Sequence, residues 1–268
     1  MDTSQGTSRP PLSVAWDEAA AAYETYFVRR FAPWNERVAS PLTQARQLPD
    51  GPLLVACCGP GWEVVHLAAL RPSRWVIGVD FSETMVALTR RRCAAFPNAS
   101  AQCLDAALIR DRWERQAAGL LSCFGLQQMP DPERAIASWL EALAPGGVLS
   151  VVYWPARPES AGPFAALRDL IAERIPVPDD SWEGRLRQSL VSAGAKIVRD
   201  ESLSYPMHHA SAEEVWQAFA SSGPMLALAT RHGTLIVEEM GRAFRERFPA
   251  GPIEHRPAAR WIVARRKR

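Results

Sequence analysis

The residues best placed to do chemistry are two glycines and an acid. Gly59 and Gly61 stand in Cys57-Cys58-Gly59-Pro60-Gly61, directly after the charge-free apolar run Leu53-Leu54-Val55-Ala56. Asp80 follows nineteen residues after Gly61, closing a second apolar run, Trp75-Val76-Ile77-Gly78-Val79. A glycine turn between a buried strand and a helix lets a ligand reach backbone N–H groups at the helix N-terminus, closer than any side chain permits. A carboxylate at the tip of the next strand faces that turn and can accept both hydroxyls of a ribose. Alone, the turn also reads as an ordinary strand-to-helix corner, and Asp80 as a solvated helix cap. Their spacing favours the ligand reading.

Other constellations are missing. The chain contains no HExxH pair, no GxSxG elbow and no GxxxxGK[ST] phosphate loop. His208-His209 offers either a base or a metal pair. Adjacent strand residues point to opposite faces, so one shared metal is not expected, and a place on the surface of a cap is the simpler reading.

The elements that must position these residues alternate between strand and helix. Val64, Val65, Leu67, Ala68 and Leu70 continue from Gly61 at helical spacing, and Ser82 is placed to cap a helix over 83–95. Further strands are expected at 99–104, 117–124, 148–154, 196–205 and 259–264, the last antiparallel. Asp131-Pro132 opens a helix that Pro145-Gly146-Gly147 ends. The apolar residues of 14–31 predict a first helix, and 40–48 a second short one. The polar segment 1–11 is expected to be disordered.

Cys58-Gly59-Pro60-Gly61, then Gly78-Val79-Asp80-Phe81-Ser82-Glu83-Thr84-Met85, then Asp105-Ala106, then Leu143 to Leu149 resemble the ordered motifs of class I S-adenosylmethionine-dependent methyltransferases. The resemblance covers about residues 50–154. It departs at the first motif, where Val55 and Cys57 stand at the family's acid and first glycine. Some members similar to thiopurine methyltransferase also lack that acid and carry one just after the turn, where Glu63 stands here.

The fold implied is a Rossmann-like, seven-stranded, mostly parallel α/β sheet with helices on both faces and a helical cap. Residues 1–35 would form a tail and lid helix, 36–154 the cofactor-binding core, and 155–268 the rest of the sheet with cap insertions at about 155–185 and 211–250. The cofactor contacts implied are Cys58, Gly59 and Gly61 in the turn, Asp80, Phe81 and Met85 after the second strand, and Asp105 and Ala106 after the third. Cys123 and Phe124 would join them from the fourth strand tip, and Tyr23 from the lid. Tyr26, Trp34, Gln128, Tyr153 and Met225 are the expected acceptor-side residues, with the aromatic ones and Met225 lining or gating one cavity.

Composition narrows the rest. With 268 residues and 47% hydrophobic content, the chain suits one large domain with an inserted cap. A net charge of +2 argues against a dedicated nucleic-acid binder, and the arginine runs at 90–92 and 265–268 read as solvated charge. No apolar run reaches a membrane span of about 18–20 residues, and the N-terminus lacks a signal-peptide pattern. The five cysteines have no framework spacing and read as reduced hydrophobes, mostly in strands, of a cytoplasmic protein. The expectation is metal-independent methyl transfer from S-adenosylmethionine to a small organic acceptor, with no catalytic residue identified. A cofactor binder without transfer, regulatory or cyclase-like, is the alternative. A nicotinamide-dependent oxidoreductase is disfavoured because Val64 stands where a third glycine is wanted.

Overall fold

The computed structural model describes residues 11–176 and 179–268. Apart from Pro11, the expected disordered tail lies outside the described residues, as does Pro178 of the first cap insertion.

Elements run α1 (Pro11–Thr43), β1 (Leu53–Ala56), α2 (Trp62–Leu70), β2 (Val76–Asp80), α3 (Glu83–Cys93) and β3 (Ala99–Cys103). Next come α4 (Ile109–Trp113), β4 (Ala117–Cys123), α5 (Pro132–Ala142), β5 (Leu143–Tyr153), α6 (Pro163–Ala172), α7 (Trp182–Ser192) and β6 (Ala195–Ser204). The chain closes with β7 (Met207–His209), α8 (Ala212–Ala220), α9 (Gly223–His232), α10 (Thr234–Glu246), β8 (Ile253–His255) and β9 (Ala258–Arg266).

Seven strands form one sheet in the order β3-β2-β1-β4-β5-β9-β6, so the expected Rossmann-like architecture is present. β1 to β5 pair in parallel, and β9 inserts antiparallel between β5 and β6. The central strands are buried on both faces, which is why β1 and β4 read as charge-free, mostly apolar runs. On one face Val55, Leu121 and Val263 pack with α1 and the cap; on the other Leu54, Leu120 and Ile262 pack with α5 and α7. The strand order reverses between β1 and β4, and open α/β sheets bind ligands at the carboxyl ends beside such a reversal. No helix among the described residues is long and apolar enough to cross a membrane.

Three local expectations are corrected, and one element is new. The two N-terminal helices are one, and α1 runs through Pro33, Pro41 and the expected boundary at residue 35. Phe27, Phe31, Trp34, Val38 and Leu42 form one buried stripe along it, so packing outweighs the proline cost. The carbonyl of Arg37, which Pro41 cannot satisfy, accepts the Ser40 hydroxyl at 2.7 Å. The helix then stops at Thr43, and Arg71 and Arg74 bond carbonyls of the following loop, at Ala45, Leu48 and Gly51 among others. β5 begins at Leu143, before the Pro145-Gly146-Gly147 stop. Cys57 and Cys58 lie in the turn after β1 and Cys93 in α3, so fewer cysteines sit in strands than expected. A small two-stranded antiparallel sheet of β7 and β8, with Met207 opposite His255 and His209 opposite Ile253, had no sequence counterpart.

Candidate functional site

The turn after β1 owes its shape to positive φ at three alternate residues. Cys57 takes φ 55°, Gly59 φ 49° and Gly61 φ 91°, and the last caps the N-terminus of α2. Phe124, one residue past β4, also sits at φ 57°. Left-handed backbone at a non-glycine residue is costly and clusters at functional sites; here two such residues stand at the tips of adjacent strands. Gly125 accommodates the first of them, since a Cβ there would lie 2.5 Å from the Cβ of Cys57.

Asp80 binds the turn from the next strand. Its Oδ2 accepts the Gly59 N–H at 2.9 Å and its Oδ1 the Ser82 N–H at 3.0 Å. It is 7% exposed. Burial pushes its carboxyl up to about 6, opposed by backbone N–H groups of Ser82, Gly59 and Phe81. Ser82 caps α3 as expected, accepting the Met85 N–H at 3.1 Å. Asp17 of α1 accepts the Ser82 hydroxyl at 2.6 Å and the Thr84 N–H at 3.0 Å, so the start of α1 is tied to this loop. Arg92 donates to the Pro60 carbonyl and pairs with Glu24 of α1, stapling α3, the turn and α1 together.

These elements enclose a cavity of about 180 Å³ at the carboxyl edge of the sheet. It brings together Gly59, Asp80, Phe81 and Met85, Asp105 and Ala106, and Cys123 and Phe124, with Tyr23 of α1 across from them. Of the acceptor-side expectations, Gln128 lines it. Ala106 is held by the Trp139 indole, which donates to its carbonyl at 2.7 Å, and Asp105 caps this turn through the Ala107 N–H at 2.8 Å. Leu12, Trp16, Cys57, Gly125, Met129 and Pro130 also line the cavity and were not singled out as contacts. Trp16 lies seven residues before Tyr23, on the same helical face, and that period could have found it.

A narrow slot lined by the same Tyr23, Cys57, Gly59 and Cys123 continues behind the turn to Cys58, Asn35 and Glu63. The Oδ1 of Asn35 is buried there without a hydrogen-bond partner among the described residues. Burial pushes the Glu63 carboxyl up to about 7, with its own backbone N–H and Arg92 pulling down. Burial, then Glu63, Cys123 and Asp80, drive the Tyr23 hydroxyl far above its ordinary range, so it stays neutral. The thiols of Cys57, Cys58 and Cys123 are raised in the same way.

The remaining predicted residues stand apart. Gly61 does not face the cavity: a Cβ there would lie 2.6 Å from the Thr89 side chain, so this glycine serves the contact of α2 with α3. Trp34 is fully buried among Phe31, Phe124, Trp154 and Tyr205 and donates to the Leu203 carbonyl at 3.0 Å. Tyr153 points to the opposite side of the sheet, against Trp182, with its hydroxyl accepting from Arg260 at 3.2 Å. Met225 is buried in the cap core. Tyr26 turns away to His209. Tyr23, Tyr26, Trp34, Tyr153 and Met225 therefore do not share one cavity. The cap acts at one remove, Gly223 of α9 packing directly on Trp16. Among the described residues, no three His, Cys, Asp or Glu side chains converge as a metal-binding group.

The site combines a Rossmann-like sheet with a glycine turn, a buried strand-tip acid and an aromatic wall. Residues 53–147 match the family described as a methyltransferase domain, which supports the resemblance to class I S-adenosylmethionine-dependent methyltransferases. The trans-aconitate 2-methyltransferase of Variovorax paradoxus is 36% identical over 133 residues, covering 49% of this chain and 48% of that protein. The chain thus spans about half the length of that relative. Among solved structures, the geranyl diphosphate C-methyltransferase of Streptomyces coelicolor, in complex with Mg2+, geranyl diphosphate and S-adenosyl-L-homocysteine, matches with a TM-score of 0.54 and 15% identity. That match covers 89% of this chain and 80% of that one. The [4+2]-cyclase SpnF matches at 0.53 and 20%, covering 88% and 81%. These likenesses speak to fold, and the same fold hosts different reactions.

Proposed function

We propose that the cavity binds S-adenosylmethionine and that the protein transfers its methyl group to a small organic acceptor, without a metal, in the cytoplasm. The observation that carries the reading is Asp80: a buried carboxylate on a strand tip, bonded to the glycine turn and lining the cavity. It would accept the ribose hydroxyls, and Asp105 and Ala106 would flank the adenine. The slot fits the other end of the cofactor. It offers two acceptors, Glu63 and the orphaned Asn35 Oδ1, where an ammonium group has need of them, and Glu63 replaces the acid that Val55 does not supply.

When bound, the cofactor supplies a sulfonium-activated methyl group, whose transfer discharges the sulfur. The chain's own part is to bury, align and dry the reactants. Trp16, Tyr23, Met85, Phe124 and Met129 form a largely apolar wall that keeps water from the reacting region. The neutral thiols of Cys57 and Cys123 leave no competing nucleophile beside the methyl donor. Acceptor specificity would come from the strand tip at Gly125 to Pro130, next to Phe124.

Incubation with methyl-labelled S-adenosylmethionine and a metabolite extract, scored by mass, tests this. Labelled product formed by the wild type and lost in Asp80→Asn is expected. Cofactor binding with no labelled product from any extract would favour a binder without transfer.

A further inference from the structure

Four side chains from distant parts of the sequence form an unbroken chain of hydrogen bonds under the cap. The Tyr26 hydroxyl meets His209 Nδ1 at 2.5 Å. His209 Nε2 meets His255 Nε2 at 2.9 Å, and His255 Nδ1 meets Glu159 Oε2 at 2.8 Å. The other Glu159 oxygen accepts the Phe164 N–H at 2.7 Å, which fixes the carboxylate at the start of α6. His209 is 5% and His255 8% exposed. The chain links α1 to both strands of the β7–β8 sheet and to the start of α6.

Geometry sets the direction of this chain. Glu159 can only accept when ionised, so His255 carries its hydrogen on Nδ1. His255 Nε2 then accepts from His209 Nε2–H, and His209 Nδ1 accepts the Tyr26 O–H. One carboxylate and two neutral imidazoles thus satisfy every group. An added proton breaks the order. A cationic His255 needs His209 Nε2 as acceptor, which moves the His209 hydrogen to Nδ1, facing Tyr26. The phenol must then accept, and no other acceptor for its own hydrogen is described. With both rings charged, two N–H groups would face each other at 2.9 Å.

We propose that this chain is a proton-sensitive latch: in its neutral form it seats α1, through Tyr26 and His209 as positioning residues, and an added proton loosens the helix that walls the cavity. The cavity-lining residues Leu12, Trp16 and Tyr23 sit on the same helix, Tyr23 one turn before Tyr26. The consequence for ligand affinity rests on the cofactor reading above. Surrounding charge works in the same direction. The Arg30 guanidinium lies 3.7 Å from the centre of the Tyr26 ring, pairs with Glu214 of α8 at 2.8 Å and donates to the His208 carbonyl. His208, 68% exposed, faces Glu254 of β8 at 3.6 Å. Burial, then His255, Arg30 and His208, depress His209 to about 3, so the closed latch holds above the ordinary histidine range and weakens as pH falls below about 6.5.

Hydrogen exchange of the full chain, corrected for intrinsic rates, tests this without any ligand. From pH 8 to pH 5, protection of peptides from 14–34 should fall about tenfold while β1 and β4 hold theirs. Tyr26→Phe should already be low at pH 8 and insensitive to pH, and His208→Gln should keep the wild-type response. Unchanged α1 protection in the wild type, or a wild-type pH response in Tyr26→Phe, would overturn the latch. At pH 8, Tyr26→Phe should bind S-adenosylhomocysteine about tenfold more weakly than the wild type. Equal affinity would overturn the link to the cavity. If the wild type bound none, the cofactor reading and the affinity claim would both fall, and the exchange result would still decide the latch.

Discussion

Cys57 and Gly125 should be energetically coupled. Cys57 occupies the family's first glycine position and holds φ 55° at the head of the turn. A Cβ on Gly125 would lie 2.5 Å from the Cys57 Cβ, 2.6 Å from its Sγ and 3.0 Å from the Ser122 Oγ. Cys57 has little room to yield, because Cys58 donates to the Val79 carbonyl at 3.0 Å and Gly59 is held by Asp80. Overpacking of this kind costs about 1–3 kcal/mol. At about 2–4 °C per kcal/mol for a chain of this size, Gly125→Ala should melt about 4–8 °C lower for a cost of about 2 kcal/mol. Cys57→Gly removes both clashing atoms and suits the positive φ, so Cys57→Gly/Gly125→Ala should recover most of that loss. Differential scanning calorimetry of the four proteins measures the coupling. A neutral Gly125→Ala, or a double variant no more stable than the additive sum, would refute the packing argument.

Two further predictions concern the same turn. Gly61→Ala, at φ 91° and with its Cβ 2.6 Å from Thr89, should destabilise by about 2 kcal/mol or more in a urea titration. A variant as stable as the wild type would mean that α2 and α3 do not meet so closely. For Glu63, raised to about 7, the sign is that of an acid whose ionised form is disfavoured by folding: the cost is present above pH 7 and vanishes below about pH 4.5. Glu63→Gln should therefore melt higher than the wild type at pH 8, by on the order of 1 kcal/mol given its partial exposure, with the gap closing by pH 5. A gap independent of pH would contradict this.

The sheet and the strand-tip residues that line the cavity were legible because their signals are local. An apolar run buried on both faces, a glycine turn, a strand-tip acid and a cap such as Ser82 each lie within a few residues. The acceptor side was not. Periodicity shows that Trp34 and Tyr153 are buried but not on which side of the sheet, and only the register of β5 against β9 sends Tyr153 to Arg260. The segment between 31 and 40, with Pro33, read as a break between two helices, but the buried stripe carries α1 through it. His209 was read as cap surface, because His255 and Glu159 stand 46 and 96 residues from their partners in the hydrogen-bond chain. For Gly61 the turn pattern did not show the packing contact, since only the fold places its missing side chain against Thr89 of α3.

The central claim is that Asp80 and the glycine turn bind the cofactor, and calorimetric titration with S-adenosylhomocysteine tests it most directly. Two charge-assisted hydrogen bonds from ribose hydroxyls are worth roughly 2–3 kcal/mol. The wild type should bind at one site per chain. Asp80→Asn, shown by circular dichroism to be folded, should bind about thirty- to a hundredfold more weakly. Unchanged affinity in the folded variant, or no binding by the wild type, would contradict the account.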